Sequence, residues 1–366
     1  MPARKGRGAV GNSEGRFEKR TIRPMDYGWD APDDEEPPRL ETTVTPEKTR
    51  TILSRNDSPD IPFDRSINPY KGCEHGCVYC FARPTHSYLG LSPGLDFETR
   101  IFSKPDAARL LREELRRPGY RPEVIALGAN TDPYQPVERE LRITRGVLEV
   151  LWEHRHPVGI VTKSSLVLRD RDLLESMARE NLAAVFLSIT TLDPKLARRM
   201  EPRAATPARR LETIRSLSET GVPVGVLASP MIPGLNDAEL ERILEAAAAA
   251  GARTAGYILL RLPHEVKEIF SDWLRAHYPL KAAHVLSLVR QTHGGKLYES
   301  EFGTRMKGKG AYAELLERRF ATACRRLGLQ RKGGAPLDVS RFRVPPRPGD
   351  QPGLFDREAP GRDPAP

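Results

Sequence analysis

The chain has 366 residues, of which only 39% are hydrophobic while 33 are Pro and 29 are Gly, and it carries a net charge of +9. That length holds one large domain or two ordinary ones, and the dilution of apolar residues implies a packed centre with polar ends. No apolar run is long enough to span a membrane and no apolar core marks a secretion signal in the first 23 residues, so a cytoplasmic protein without membrane contact is expected.

In chain order, residues 1–60 are expected to form a disordered arm. Seven Lys or Arg fall between Arg4 and Arg23, an acidic Pro-rich stretch follows at 30–38, and few aliphatic residues are there to bury. From 61 to 290, short β-branched runs alternate with charged segments of helical length. A weak strand is expected near 66–71, and stronger ones at 124–129, 157–162, 183–189, 222–228 and 255–260. The spacing between them predicts helices over 107–117, 137–154, 170–180, 207–220 and 237–250. Runs such as 185–189 and 222–227 are mostly apolar rather than alternating, as in parallel strands covered on both faces. Repeated β–α units require an α/β fold with a parallel sheet, doubly wound or closing toward a barrel. Ligands of such sheets gather beyond the carboxyl ends of the strands. A basic helical extension is expected over 291–332, and a second disordered, Pro-rich tail over 333–366.

The sharpest local signal is the run Asn68-Pro69-Tyr70-Lys71-Gly72-Cys73-Glu74-His75-Gly76-Cys77-Val78-Tyr79-Cys80, which contains three of the four cysteines. Disulfide frameworks spread their cysteines along a chain, whereas so tight a cluster in a chain of this size points to metal. A structural zinc site would need a fourth ligand, His75 or His86. An iron–sulfur cube held by three thiolates instead leaves one iron with an open coordination position, where chemistry can occur.

The spacing C-x3-C-x-aromatic-C, with Tyr79 as the aromatic, resembles the signature of the radical S-adenosyl-L-methionine (radical SAM) superfamily. The resemblance runs over roughly 65–290. Residues 128–135 follow the second strand, Thr162-Lys163-Ser164 follows the third, 186–190 forms the fourth, and 228–237 follows the fifth. The pattern is most similar to the DNA-repair-photolyase-like branch, related to spore photoproduct lyase. This resemblance implies a partial (β/α)6 TIM-like barrel and a [4Fe-4S] cluster ligated by Cys73, Cys77 and Cys80. It also implies S-adenosyl-L-methionine contacts from Tyr79, Asn130, Asp132, Lys163 and Ser188. Lys163 would balance the methionine carboxylate, and Asp132 or the Asn130 carbonyl would accept from the amine. An external electron donor would trigger cleavage of the sulfonium C–S bond, and the 5′-deoxyadenosyl radical released would take hydrogen from a substrate carbon.

The chain departs from spore photoproduct lyase in one respect: no cysteine lies between Cys80 and Cys324 to return hydrogen to a product radical. Cys324 falls on the stripe Leu316, Phe320, Cys324, Leu327, which reads as helix packing. Tyr88, Tyr134 and Tyr257 are the alternative candidates for a radical relay. Between Arg290 and Pro345 there are 13 Lys or Arg against five Asp or Glu. Within that region, residues 304–312 mix cations, glycines and an aromatic in a way suited to phosphates, so DNA or RNA is the expected substrate. In the tail, Gln351, Leu354 and Phe355 resemble the peptide by which bacterial repair proteins dock on the sliding clamp. Radical modification of a peptide or metabolite, and a non-catalytic zinc-stabilised nucleic-acid-binding protein, are the competing functions.

Overall fold

The computed structural model describes residues 6–17, 40–331 and 336–346. Two short strands, β1 (Thr43–Pro46) and β2 (Leu53–Arg55), precede β3 (Arg65–Ile67) and β4 (Tyr70–Lys71). Pro69 separates the last two and offers no N–H to a ladder, so the single strand expected near 66–71 becomes two that serve different sheets. A 3-10 turn at Arg83–Leu89, the short α1 (Asp96–Thr99) and β5 (Arg100–Ser103) lead to α2 (Ala107–Leu115). Regular β–α units then follow. They are β6 (Ile125–Leu127) with α3 (Glu138–Leu141) and α4 (Ile143–Glu153), and β7 (Val158–Thr162) with α5 (Arg171–Arg179). Next come β8 (Ala183–Ser188) with α6 (Pro194–Met200) and α7 (Pro207–Glu219), then β9 (Val224–Met231) with α8 (Leu240–Ala249). After β10 (Thr254–Leu259) come α9 (Val266–His277), α10 (Pro279–Gln291) and α11 (Ala311–Leu327).

The main sheet runs β10-β9-β8-β7-β6-β3-β2. Its six strands from β3 to β10 are mutually parallel, and β2 pairs antiparallel at the edge. This is the partial (β/α)6 barrel of an α/β protein, and because the strands are parallel all six carboxyl ends meet at one rim. A second sheet, β1-β5-β4, sits beside the cysteine run. Val158, Ile160, Val185, Leu187, Val224 and Val226 are fully or almost fully buried and anchor the main core. Each such side chain contributes about 1.5–3 kcal/mol relative to exposure. A separate apolar cluster joins Cys77, Val78 and Tyr79 to Phe270 and Trp273 of α9 and Val285 and Val289 of α10.

The helix expected over 137–154 is interrupted at Arg142, whose φ of 52° ends α3. The cause lies in the core: buried Glu138 takes the Tyr70 hydroxyl and Arg169, and also accepts from the Thr144 N–H (3.1 Å), which starts α4 anew. The span 1–60, expected to be unpacked, is described in two pieces, and both pack. Ala9 is buried against the cysteine run, and Ile52 donates its N–H to Glu114 (2.6 Å). Both pieces fill positions that their polar composition conceals. In the tail, Phe342 lies over Tyr120 and His156, and the Arg343 N–H reaches the His154 carbonyl (2.9 Å). Gln351, Leu354 and Phe355 lie outside the described residues.

Candidate functional site

The cysteine run forms a tight loop over the carboxyl rim, held by backbone bonds from several elements. The Cys73 N–H reaches the Phe97 carbonyl (2.9 Å), and the Val78 N–H reaches that of Met200 (3.0 Å). Gln135 clamps it further, donating to the Gly72 carbonyl (3.1 Å) and accepting from the Glu74 N–H (3.0 Å). Arg83, fully buried, donates to the carbonyls of Cys77, Pro93 and Gly94 and pairs with buried Glu98 (2.5 Å). Residues 6–17 lie across the loop as a strap, with the N–H groups of Gly8 and Ala9 on the Glu98 carboxylate (2.9 and 2.8 Å). Two glycines permit this closeness. Gly76 has φ +66° and no room for a Cβ beside Glu98, and a Cβ on Gly8 would strike the Gly76 carbonyl.

The strand ends supply the rest. Asp132, after β6, accepts from the Thr162 hydroxyl (2.7 Å), the Lys163 N–H (2.7 Å) and the Tyr134 N–H (2.9 Å), and faces His75 Nδ1 at 3.3 Å. Burial would raise its carboxyl, but His75 and these donors hold it down to about 2. Both oxygens are thus engaged. Through these contacts Asp132, expected to accept from the cofactor amine, braces the cysteine loop against the end of β7. Among the described residues Asn130 has only its backbone N–H tied, to Asn68 (2.9 Å), and it is exposed at the rim.

Lys163 follows β7 with its ammonium over the Tyr79 ring (5.8 Å). Burial alone would lower its pKa, yet Cys77, once a thiolate, and Glu201 raise it above the ordinary lysine value. Ser188 ends β8, buried, and its carbonyl accepts from Arg210 (2.8 Å). Beneath these residues lies a pair that motif reading did not single out. Arg210 and Glu201 are ion-paired and almost wholly buried, and Glu201 also takes the Tyr79 hydroxyl and the Thr190 hydroxyl (3.0 Å). Burial would raise the Glu201 carboxyl, but Arg210 and Lys163 hold it below the usual range. Nothing in local spacing links Glu201 to Arg210 or to the cysteines. Gln135, by contrast, stands within the run 128–135 and its role as clamp had a local signal.

The donors fit an iron–sulfur cluster better than zinc. Among the described residues no three His, Cys, Asp or Glu side chains converge on a single ion. Of the two histidines considered for a zinc site, His75 faces Asp132 through Nδ1, and His86 contacts the Arg100 carbonyl through Nε2 (2.9 Å). Burial pushes the Cys77 thiol up to about 12 and Cys73 well above its ordinary value. These thiols need a bound cation to become thiolates, as metal ligands do.

The tyrosines considered as relays divide. Tyr134 is core, with Arg169 over its ring, and Tyr257 packs on Phe320 and donates to Glu317 (3.0 Å). Tyr88 is exposed and stacks on Phe17 of the strap. Cys324 is buried in the main core. The basic segment comes to the rim of β10, where the Leu259 N–H reaches the Met306 carbonyl (2.9 Å) and the Lys309 N–H reaches that of Thr292 (2.9 Å).

A model of the radical SAM superfamily matches residues 67–247. An uncharacterized protein of Mycobacterium tuberculosis is 38% identical over 233 residues, covering 63% of this chain and 68% of that protein. One from Methanocaldococcus jannaschii is 29% identical over 173 residues, covering 47% of this chain and 62% of that protein. In fold, the chain is similar to spore photoproduct lyase in a structure complexed with dinucleoside spore photoproduct. The TM-score there is 0.57 at 15% identity, with 79% of this chain and 81% of that one covered.

Proposed function

We propose that this chain, which belongs to the radical SAM superfamily, cleaves S-adenosyl-L-methionine reductively at a [4Fe-4S] cluster and so starts hydrogen abstraction from a nucleic acid in the cytoplasm. The observation that carries the reading is the loop of Cys73, Cys77 and half-buried Cys80, with the Lys163 ammonium reaching over the ring of Tyr79 inside that loop. Cluster and cofactor together, when bound, supply an electron to the sulfonium and a carbon radical able to take hydrogen from unactivated carbon. The chain's own residues bind and enclose them. Lys163 offers a fixed positive charge to the methionine carboxylate, Ser188 a hydroxyl, and the free Asn130 side chain an acceptor for the amine. Asp132, Gln135 and the Arg83–Glu98 pair hold the cysteine loop at its distance from the strand ends. The strap over 6–17 and the cluster of α9 and α10 exclude water from that side.

Nucleic acid as substrate is supported by the basic segment docked at β10 and by the similar fold of a lyase that binds a dinucleoside lesion. The hydrogen-return step would differ from a cysteine route, since Cys324 is buried in the main core. The test is anaerobic incubation with dithionite, S-adenosyl-L-methionine and deuterated DNA or RNA oligonucleotides, followed by mass measurement of the 5′-deoxyadenosine released. Deuterium transfer from one oligonucleotide is expected. Unlabelled 5′-deoxyadenosine from every oligonucleotide, with transfer from a deuterated peptide, would move the substrate to another class. Sliding-clamp docking through Gln351, Leu354 and Phe355 is a separate proposal. Clamp pull-down should fail for the double variant Leu354→Ala, Phe355→Ala, and equal recovery would end the idea.

A further inference from the structure

Four Phe or Tyr side chains are largely exposed among the described residues: Phe17, Phe81, Tyr88 and Phe302. Every one carries an arginine over its ring. Arg16 covers Phe17 and Tyr88 (5.4 and 5.8 Å), Arg261 covers Phe81 (5.5 Å), and Arg305 covers Phe302 (4.5 Å). The three groups adjoin through the turn that follows β10. Arg16 reaches His264 (3.0 Å) and Glu265 (2.8 Å), three and four residues beyond Arg261. Asp60 pairs with Arg305 (2.5 Å) and feels the charge of Arg261 as well. Phe81, in the middle, directly follows Cys80.

Folding does not account for this set. An exposed aromatic ring gains little from a cation stacked on it in water, and four such rings in one neighbourhood leave apolar area uncovered. The middle group is also short of partners: Arg261 Nε and His293 Nε2 are buried, and among the described residues neither has a hydrogen-bond partner. A ring with one face open offers a stacking platform for any base, while a guanidinium lying over its other face keeps N–H edges for phosphate oxygens. Bases within a duplex hide those faces, whereas unpaired bases present them.

We infer that the strap, the residue after Cys80 and the loop around Phe302 form a track for a single-stranded nucleic acid, with bases on Phe81 and Phe302 and a phosphate on Arg261. This rests on the nucleic-acid reading above and adds where and in what strandedness the polymer binds. Phe81 lies at the point of closest approach to the cluster ligands, so the base stacked there would be the one presented for reaction.

Fluorescence anisotropy on the anaerobically purified holoenzyme tests it, with labelled oligothymidylate, oligouridylate and a hairpin duplex as probes. Both single strands should bind more tightly than the duplex, and the preference between them reports the sugar. Phe81→Ala and Phe302→Ala should each weaken single-strand binding by about 5-fold or more. Arg261→Gln should lower the slope of log Kd against log salt by about one. Leu280→Ala, at an exposed position of α10, should change neither. Phe302 is in an exposed loop, so its variant stays informative even if Phe81→Ala disturbs the adjacent cysteine; iron content checks that point. Wild-type binding undiminished in Phe302→Ala, or a duplex bound most tightly, overturns the track while leaving nucleic acid as substrate. No binding of any probe by the wild type overturns both.

Discussion

The ends of β6, β7 and β8 and the end of β10 belong to one rim and are finished in opposite ways. At the first, buried charge meets counter-charge: Arg83 with Glu98, Arg210 with Glu201, and Asp132 among His75, Thr162 and the Lys163 N–H. At the second, among the described residues, Arg261 and His293 keep unpartnered nitrogens, aromatic rings face solvent, and the loop over 302–310 is pinned by a few backbone bonds, the Arg305–Asp60 pair and the exposed Lys309–Glu301 pair. On the proposed function, the difference separates a ligand that stays from one that must come and go. A resident cofactor rewards a site whose geometry is fixed before it arrives, and a turned-over polymer needs donors and faces left free.

The comparison can be broken first at the cysteines. Cys77→Ala should abolish iron retention and visible absorption in anaerobically purified protein, and full retention would remove the premise of a cluster site on the first side. Next, Arg83→Met should lower stability by about 3–5 kcal/mol, because Glu98 is left buried without its cation. A denaturant midpoint matching wild type would mean that this network does not hold the loop. Lys163→Met should weaken S-adenosyl-L-methionine by roughly 10- to 100-fold, the range of one charge-assisted bond. Calorimetric titration reads that directly, and unchanged affinity would take Lys163 out of the site. At the small end, Lys309→Ala breaks the exposed pair with Glu301 and should leave the melting temperature where it was. A clear drop would show the β10 loop to be as firmly built as the cofactor side.

Much of the scaffold was legible because parallel strands buried on both faces write themselves as short apolar runs: β7, β8 and β10 fall within a residue or so of their expected bounds. The cysteines and the strand-end residues were legible through one motif and its order along the chain. What stayed hidden depends on distant partners. Glu201 and Arg210 look like any surface charges until α6 and α7 bring them together under Tyr79. Arg142 breaks a good helical pattern only because Glu138 is drawn inward by Tyr70 and Arg169. Residues 6–17 read as a loose basic arm, since their contribution is made by backbone N–H groups and absent side chains, which composition does not register.

The contact between Gly8 and Glu98 joins positions 90 apart in sequence. Such long-range closure is slow relative to local helix formation, because its chain entropy is lost before the contact is gained. During translation the three thiols therefore emerge with their lid still undocked.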